Sequence, residues 1–90
     1  MAYKIKIKES AQKVLKKLDK PIKSRIWVAI SELANQPHPT ESVKMSGYDD
    51  LWRIRVGDWR IIYQIRDDEM VILIVRVGHR RDIYRRKKGG

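Results

Sequence analysis

Three apolar-alternating runs lie back to back in the second half of the chain, Leu51 to Val56, Trp59 to Arg66 and Met70 to Val77, separated only by Gly57-Asp58 and Asp67-Asp68-Glu69. Connections this short join antiparallel neighbours, so the runs form a meander. Glycine first in a two-residue connection suits a type II′ hairpin. Val56 then faces Trp59, and the pairing continues Arg55 with Arg60, Ile54 with Ile61 and Trp52 with Tyr63. Because side chains alternate along a strand, this register gathers Trp52, Ile54, Val56, Trp59, Ile61, Tyr63 and Ile65 on one face, which must be covered, and Arg53, Arg55 and Arg60 on the other. If Asp67 to Glu69 is a three-residue loop, Val71, Leu73, Val75 and Val77 join the core. Arg76 then falls beside Arg60 and completes a row of three arginines.

The first half supplies the cover. Tyr3, Ile5 and Ile7 alternate with Lys4, Lys6 and Lys8, the period of a strand with one buried face. From Ser10, an expected N-cap, Ala11, Val14, Leu15 and Leu18 form one stripe of a short helix. After an Asp19-Lys20 turn, Pro21 suits the first turn of a second helix, whose stripe is Ile22, Ile26, Ala29, Ile30 and Leu33, until Asn35 and Pro37 stop it. Gln36 to Ser46 has no clear period and is expected to be a loop. The expected fold class is α+β, with element order β-α-α-β-β-β and a short tail helix: an antiparallel meander sheet with a helical hairpin packed on one face. At 90 residues the chain suits a single core. We assign one domain to residues 1–86, with 87–90 a frayed basic end.

Composition narrows the partner. The chain is 42% hydrophobic and 36% charged, and no apolar run approaches the ~18 residues a membrane span needs. It has no cysteine, and its alternating start differs from a signal peptide, which leads to the expectation of a cytoplasmic protein with no membrane partner. Lysine plus arginine number 21 against 11 acidic residues, a formal charge of +10, with a sequence pI near 10.2. That exceeds the value of about 9 typical of nucleic-acid-binding domains. A single arginine on an antiparallel sheet is ordinarily just solvated, but like charges directly opposite one another cost a few tenths to about 1 kcal/mol, so folding alone does not select a row of them. Guanidinium groups grip phosphate in two places and stay charged. Asp49, Asp50, Asp67, Asp68 and Glu69 read as turn residues spread over two loops, so neither a metal nor a cofactor is expected.

Beyond Gly78 the segment His79-Arg80-Arg81-Asp82-Ile83-Tyr84 brings a histidine, further arginines and a tyrosine close to the same face. Taken with Leu51-Trp52-Arg53-Ile54-Arg55 and Asp58-Trp59-Arg60-Ile61-Ile62-Tyr63-Gln64-Ile65, it resembles the RelE toxins of the RelE/ParE superfamily over nearly the whole chain. The resemblance implies the toxin of a type II toxin–antitoxin pair, a ribosome-dependent mRNA endonuclease in which the 2′-OH attacks the neighbouring phosphate to leave a 2′,3′-cyclic phosphate and a 5′-OH without a metal. Carried over motif by motif, Arg60, Arg80, Tyr84 and Arg55 are the catalytic residues. Arg53, Arg55, Arg76, His79 and Arg81 are assigned to RNA binding. Where the best-known relatives have lysines in the strand-two pair, this chain has Arg53 and Arg55, which hold their protons too tightly for general-base work and leave His79 as a candidate. The implied partners are mRNA in the ribosome, a RelB-like antitoxin, and operator DNA only through the antitoxin complex. Two alternatives stand beside this reading: a ParE-like toxin that binds gyrase, and a catalytically degenerate RNA-binding domain.

Overall fold

The computed structural model describes residues 2–45, 47 and 50–83, excluding the side chains of 82 and 83. Its elements are β1 (Lys4–Ile7), α1 (Glu9–Lys16), α2 (Lys20–Leu33), β2 (Val43–Lys44), β3 (Leu51–Val56), β4 (Trp59–Arg66), a 3-10 turn (Asp67–Glu69), β5 (Val71–His79) and α3 (Arg80–Ile83). One five-stranded sheet has the order β1-β5-β4-β3-β2. The meander β3-β4-β5 is antiparallel as expected. β1 returns through the helical hairpin and lies parallel to β5, so the sheet as a whole is mixed. The segment read as a loop contains β2, a two-residue edge strand that pairs Val43 with Arg53.

Helix starts depart from the sequence reading in one place. The residue before α1 is Lys8, and Ser10 lies inside the first turn without capping it. Glu9 at the start and Lys13 and Lys16 at the end still complement the helix dipole. α1 packs over β5 and α2 over β3. Between the helices and the sheet, Ala11, Leu15, Ile26, Ile30, Leu33, Ile54, Ile61, Tyr63, Ile72, Ile74 and Val77 are buried in one core.

The hairpin register is as expected. Val56 pairs with Trp59, Arg55 with Arg60, Ile54 with Ile61 and Trp52 with Tyr63. Gly57 has φ +61° while Asp58 stays at negative φ, the signature of a type II′ turn. The last strand is different. Val71, Leu73 and Val75 do not form its core stripe; Ile72 and Ile74 do, each with 0% exposure. Met70 adopts φ +56°, which lengthens the connection by one residue and inverts the facing of the strand. A β-bulge between Ile62 and Tyr63 on β4 then skips Val75 on β5 and restores the original facing, so Val77 is buried opposite Ile61. Two one-residue shifts therefore cancel for Arg76 and Val77 but not for the residues between them.

The segment after α2 is pinned to the core. The Tyr63 hydroxyl donates to the Pro37 carbonyl at 2.8 Å. The ring of His38 meets Trp52 edge-on at 4.4 Å. At the opposite edge, the Tyr3 hydroxyl donates to Asp67 at 2.6 Å and ties β1 to the β4–β5 connection.

Candidate nucleic-acid interface

Opposite the helices the sheet presents a basic strip built by register. One cross-strand row runs Arg53, Ile62 and Arg76; the next runs Arg55, Arg60 and Gly78. Arg76 thus shares the expected face but stands opposite Ile62 instead of Arg60, because the longer β4–β5 connection and the bulge together move β5 by two residues. The row of Arg55, Arg60 and Arg76 is replaced by a diagonal. Gly78 opposite Arg60 adds no side chain to the strip. Ile62 is only 7% exposed although it belongs to this face. Its cross-strand neighbours there are Arg53 and Arg76, whose aliphatic stems can lie along it.

Arg55 and Arg60 stand directly opposite each other. Their mutual repulsion is moderated by the turn: Arg60 Nη1 donates to the carbonyls of Gly57 at 3.3 Å and Trp59 at 3.2 Å. The same turn holds the start of α3. The Arg80 backbone N–H donates to the Asp58 carbonyl at 2.7 Å, and Arg80 Nε lies 3.9 Å from Asp58 Oδ1, with both side chains well exposed. An exposed pair at that separation contributes little to stability. Its geometric consequence is larger, since Arg55, Arg60 and Arg80 all border one two-residue turn. From α2 the guanidinium of Arg25 joins them, 3.7 to 3.8 Å from where a Cβ on Gly57 would stand. Arg25 escaped the sequence reading because its approach depends on how α2 packs against the hairpin.

The structure moves His79 away from the arginine face. It pairs with Trp59 at the end of β4 and β5, so its side chain shares the helix-side face with Val77, opposite to Arg60 and Gly78. The Trp59 and His79 rings meet edge-on, with centroids 5.6 Å apart. His79 also helps to line a groove of about 610 Å³ beside α1 with Lys8, Ser10, Trp59 and Arg76. Arg81 is exposed on α3, and its backbone N–H donates to His79 Nδ1 at 3.2 Å. Tyr84 lies outside the described residues, as does the basic end 87–90. Among the described residues, no three of histidine, cysteine, aspartate and glutamate cluster in a way that could hold a metal ion, and no helix is long and apolar enough to cross a membrane.

The strip can bind a polyanion and concentrate positive charge at one hairpin end. Known proteins give that surface a context. Residues 5–84 match the family model described as ParE toxin of type II toxin-antitoxin system, parDE. A RelE-like toxin protein of Escherichia coli is 34% identical over 88 residues, covering 93% of this chain and 92% of its own. The mRNA interferase toxin RelE of Escherichia coli K12 is 28% identical over 82 residues, covering 89% and 85%. Among solved structures, the archaeal RelE–RelB complex of Pyrococcus horikoshii matches with a TM-score of 0.79 at 33% identity, covering 89% of this chain and 97% of that one. With strand order, helical cover and these matches in agreement, the chain belongs to the RelE family of type II toxin–antitoxin toxins, within the RelE/ParE superfamily.

Proposed function

We propose that this toxin is a metal-independent, ribosome-dependent mRNA endonuclease acting in the cytoplasm, with its catalytic surface at the Gly57-Asp58 end of the arginine strip. The observation that carries the reading is the convergence of Arg55, Arg60 and Arg80 on that turn. In the reaction, the ribose 2′-oxygen bonds to the adjacent phosphorus and loses its proton, the bond from phosphorus to the 5′-oxygen breaks, and the departing oxygen gains a proton. The products are a 2′,3′-cyclic phosphate and a 5′-OH. Charge accumulates on the phosphorane, and fixed guanidinium groups are suited to meeting it. Arg60 and Arg80 serve the non-bridging oxygens and the leaving group, while Arg53, Arg55 and Arg76 hold the flanking backbone. Tyr84 stacks on or orients the cleaved nucleotide. The arginines act by charge and placement, not by taking protons. The relatives named mRNA interferase support this substrate. The solved RelE–RelB complexes support a RelB-like antitoxin as the partner that silences the toxin, with operator DNA contacted through that complex.

Mapping mRNA cleavage on programmed ribosomes, together with the chemistry of the product ends, tests this for wild type, Arg80→Ala and Tyr84→Phe. Cutting that leaves a 2′,3′-cyclic phosphate and a 5′-OH, and that both substitutions weaken, is expected. Unchanged cutting by Arg80→Ala would overturn the site, and a 5′-phosphate on the downstream product would overturn the mechanism. The family model carries the ParE name, so gyrase supercoiling belongs in the same experiment. Its inhibition with intact mRNA would replace this reading by the gyrase-binding one.

A further inference from the structure

We infer that His79 is a positioning residue: it caps the start of α3 and so fixes Arg80 at the hairpin end. This rests on the proposed ribonuclease reading for its catalytic consequence, but the cap itself rests on geometry. The first backbone N–H groups of a helix have no partner inside it and need one from outside. α3 begins at Arg80. How its first turn is held depends on what satisfies those donors.

Two of those donors have partners from outside the helix. The N–H of Arg80, its first residue, goes to the Asp58 carbonyl at 2.7 Å. The N–H of Arg81, its second, goes to His79 Nδ1 at 3.2 Å. A side-chain acceptor on the residue just before a helix, reaching the second helical N–H, is the arrangement of an N-cap. With Nδ1 accepting, the ring proton sits on Nε2, an assignment made from this hydrogen bond. Trp59 supports the ring edge-on at 5.6 Å, and strand pairing sets His79 directly across from Trp59. His79 thus joins β5 to α3 from the helix side of the sheet, while Arg60 and Gly78 stay on the other side.

The geometry also argues against two other roles. His79 is on the face opposite the arginine strip, which is a poor position for taking a proton from RNA held there. Simple packing against Trp59 would require a ring but no acceptor. Three substitutions separate the possibilities. His79→Asn keeps a side-chain acceptor suited to the cap position and loses the ring. His79→Phe keeps a ring for Trp59 and loses the acceptor. His79→Ala loses both.

Two readouts are needed: kcat and KM for cleavage of ribosome-bound mRNA, and amide hydrogen exchange at Arg80 and Arg81 in the free protein. Capping predicts that His79→Phe and His79→Ala lower kcat by about three- to thirty-fold, the population change from losing one helix cap. KM should change little, and the Arg81 amide should exchange faster. His79→Asn should recover most of kcat and the slow exchange. Wild-type activity in His79→Phe with loss in His79→Asn would overturn capping in favour of packing. Loss of kcat in all three with slow Arg81 exchange would instead mark His79 as a proton-transfer residue. If the wild-type protein fails to cut mRNA, the ribonuclease reading fails, and unchanged Arg81 exchange in His79→Ala would separately overturn the cap.

Discussion

The Tyr63 hydroxyl should stabilise this fold at neutral pH and destabilise it in strong alkali. Tyr63 has 0% exposure and donates to the Pro37 carbonyl at 2.8 Å. Replacing it with phenylalanine removes that bond at a cost of about 1 kcal/mol near pH 7. Burial pushes the hydroxyl of Tyr63 from 10.0 up to about 12. The unfolded chain gives up this proton near pH 10 while the folded chain keeps it, so between those values the unfolded state binds fewer protons and stability falls as pH rises. The contribution is fully present below pH 10 and lost through pH 12. Two pH units at about 1.36 kcal/mol each amount to roughly 2.7 kcal/mol. Wild type should therefore lead Tyr63→Phe by about 1 kcal/mol at pH 7 and equal it between about pH 10 and pH 11. Above pH 12 it should trail by roughly 1.7 kcal/mol. Urea unfolding followed by tryptophan fluorescence across this range measures the gap directly, and lysine titration, common to both proteins, cancels in the difference. A gap that does not change with pH would mean that the hydroxyl ionises alike in both states, as a solvated one would, and that burial does not hold its proton.

Gly57→Ala should cost about 1–2 kcal/mol, from forcing a residue with a Cβ to positive φ, and lower the melting temperature by about 4–8 °C per kcal/mol in calorimetry. The added Cβ would stand 3.7 Å from Arg25, an ordinary contact, so replacing Arg25 by alanine should not relieve the loss. Met70→Gly should raise the urea midpoint by up to about 1 kcal/mol of stability, because relief of the left-handed backbone at φ +56° outweighs the glycine entropy. In binding assays with ribosome-bound mRNA, Arg55→Ala and Arg76→Ala should each weaken affinity and reduce the logarithmic salt slope by about one phosphate contact, whereas Arg66→Ala, at the far end of β4, should leave both near wild type.

Much of this site was legible in the sequence because its first hairpin is locally determined. A two-residue turn starting with glycine fixes the pairing of β3 with β4, and alternation then dictates that Arg53, Arg55 and Arg60 share a face and that Ile54, Ile61 and Tyr63 are buried. The helical cover was legible for the same kind of reason, since Leu15, Ile26, Ile30 and Leu33 recur with the period of a helix. The position of β5 was a different matter. Met70 lacks the glycine signal for positive φ, and the bulge that skips Val75 sits just beyond Ile74, where the pairing of β5 with parallel β1 ends. Those constraints come from strands distant in sequence, and a one-residue change in either exchanges Leu73 for Ile74 in the core. The side of the sheet taken by His79, the approach of Arg25 to the turn, and the bond from Arg80 to Asp58 also depend on tertiary packing. The arginine hairpin and the helices that back it are written in local periodicity, which a short stretch of chain carries without help from the rest. The delivery of Arg76, His79 and Arg80 by the last strand hangs instead on one-residue shifts at a connection and a bulge, which only the assembled sheet sets.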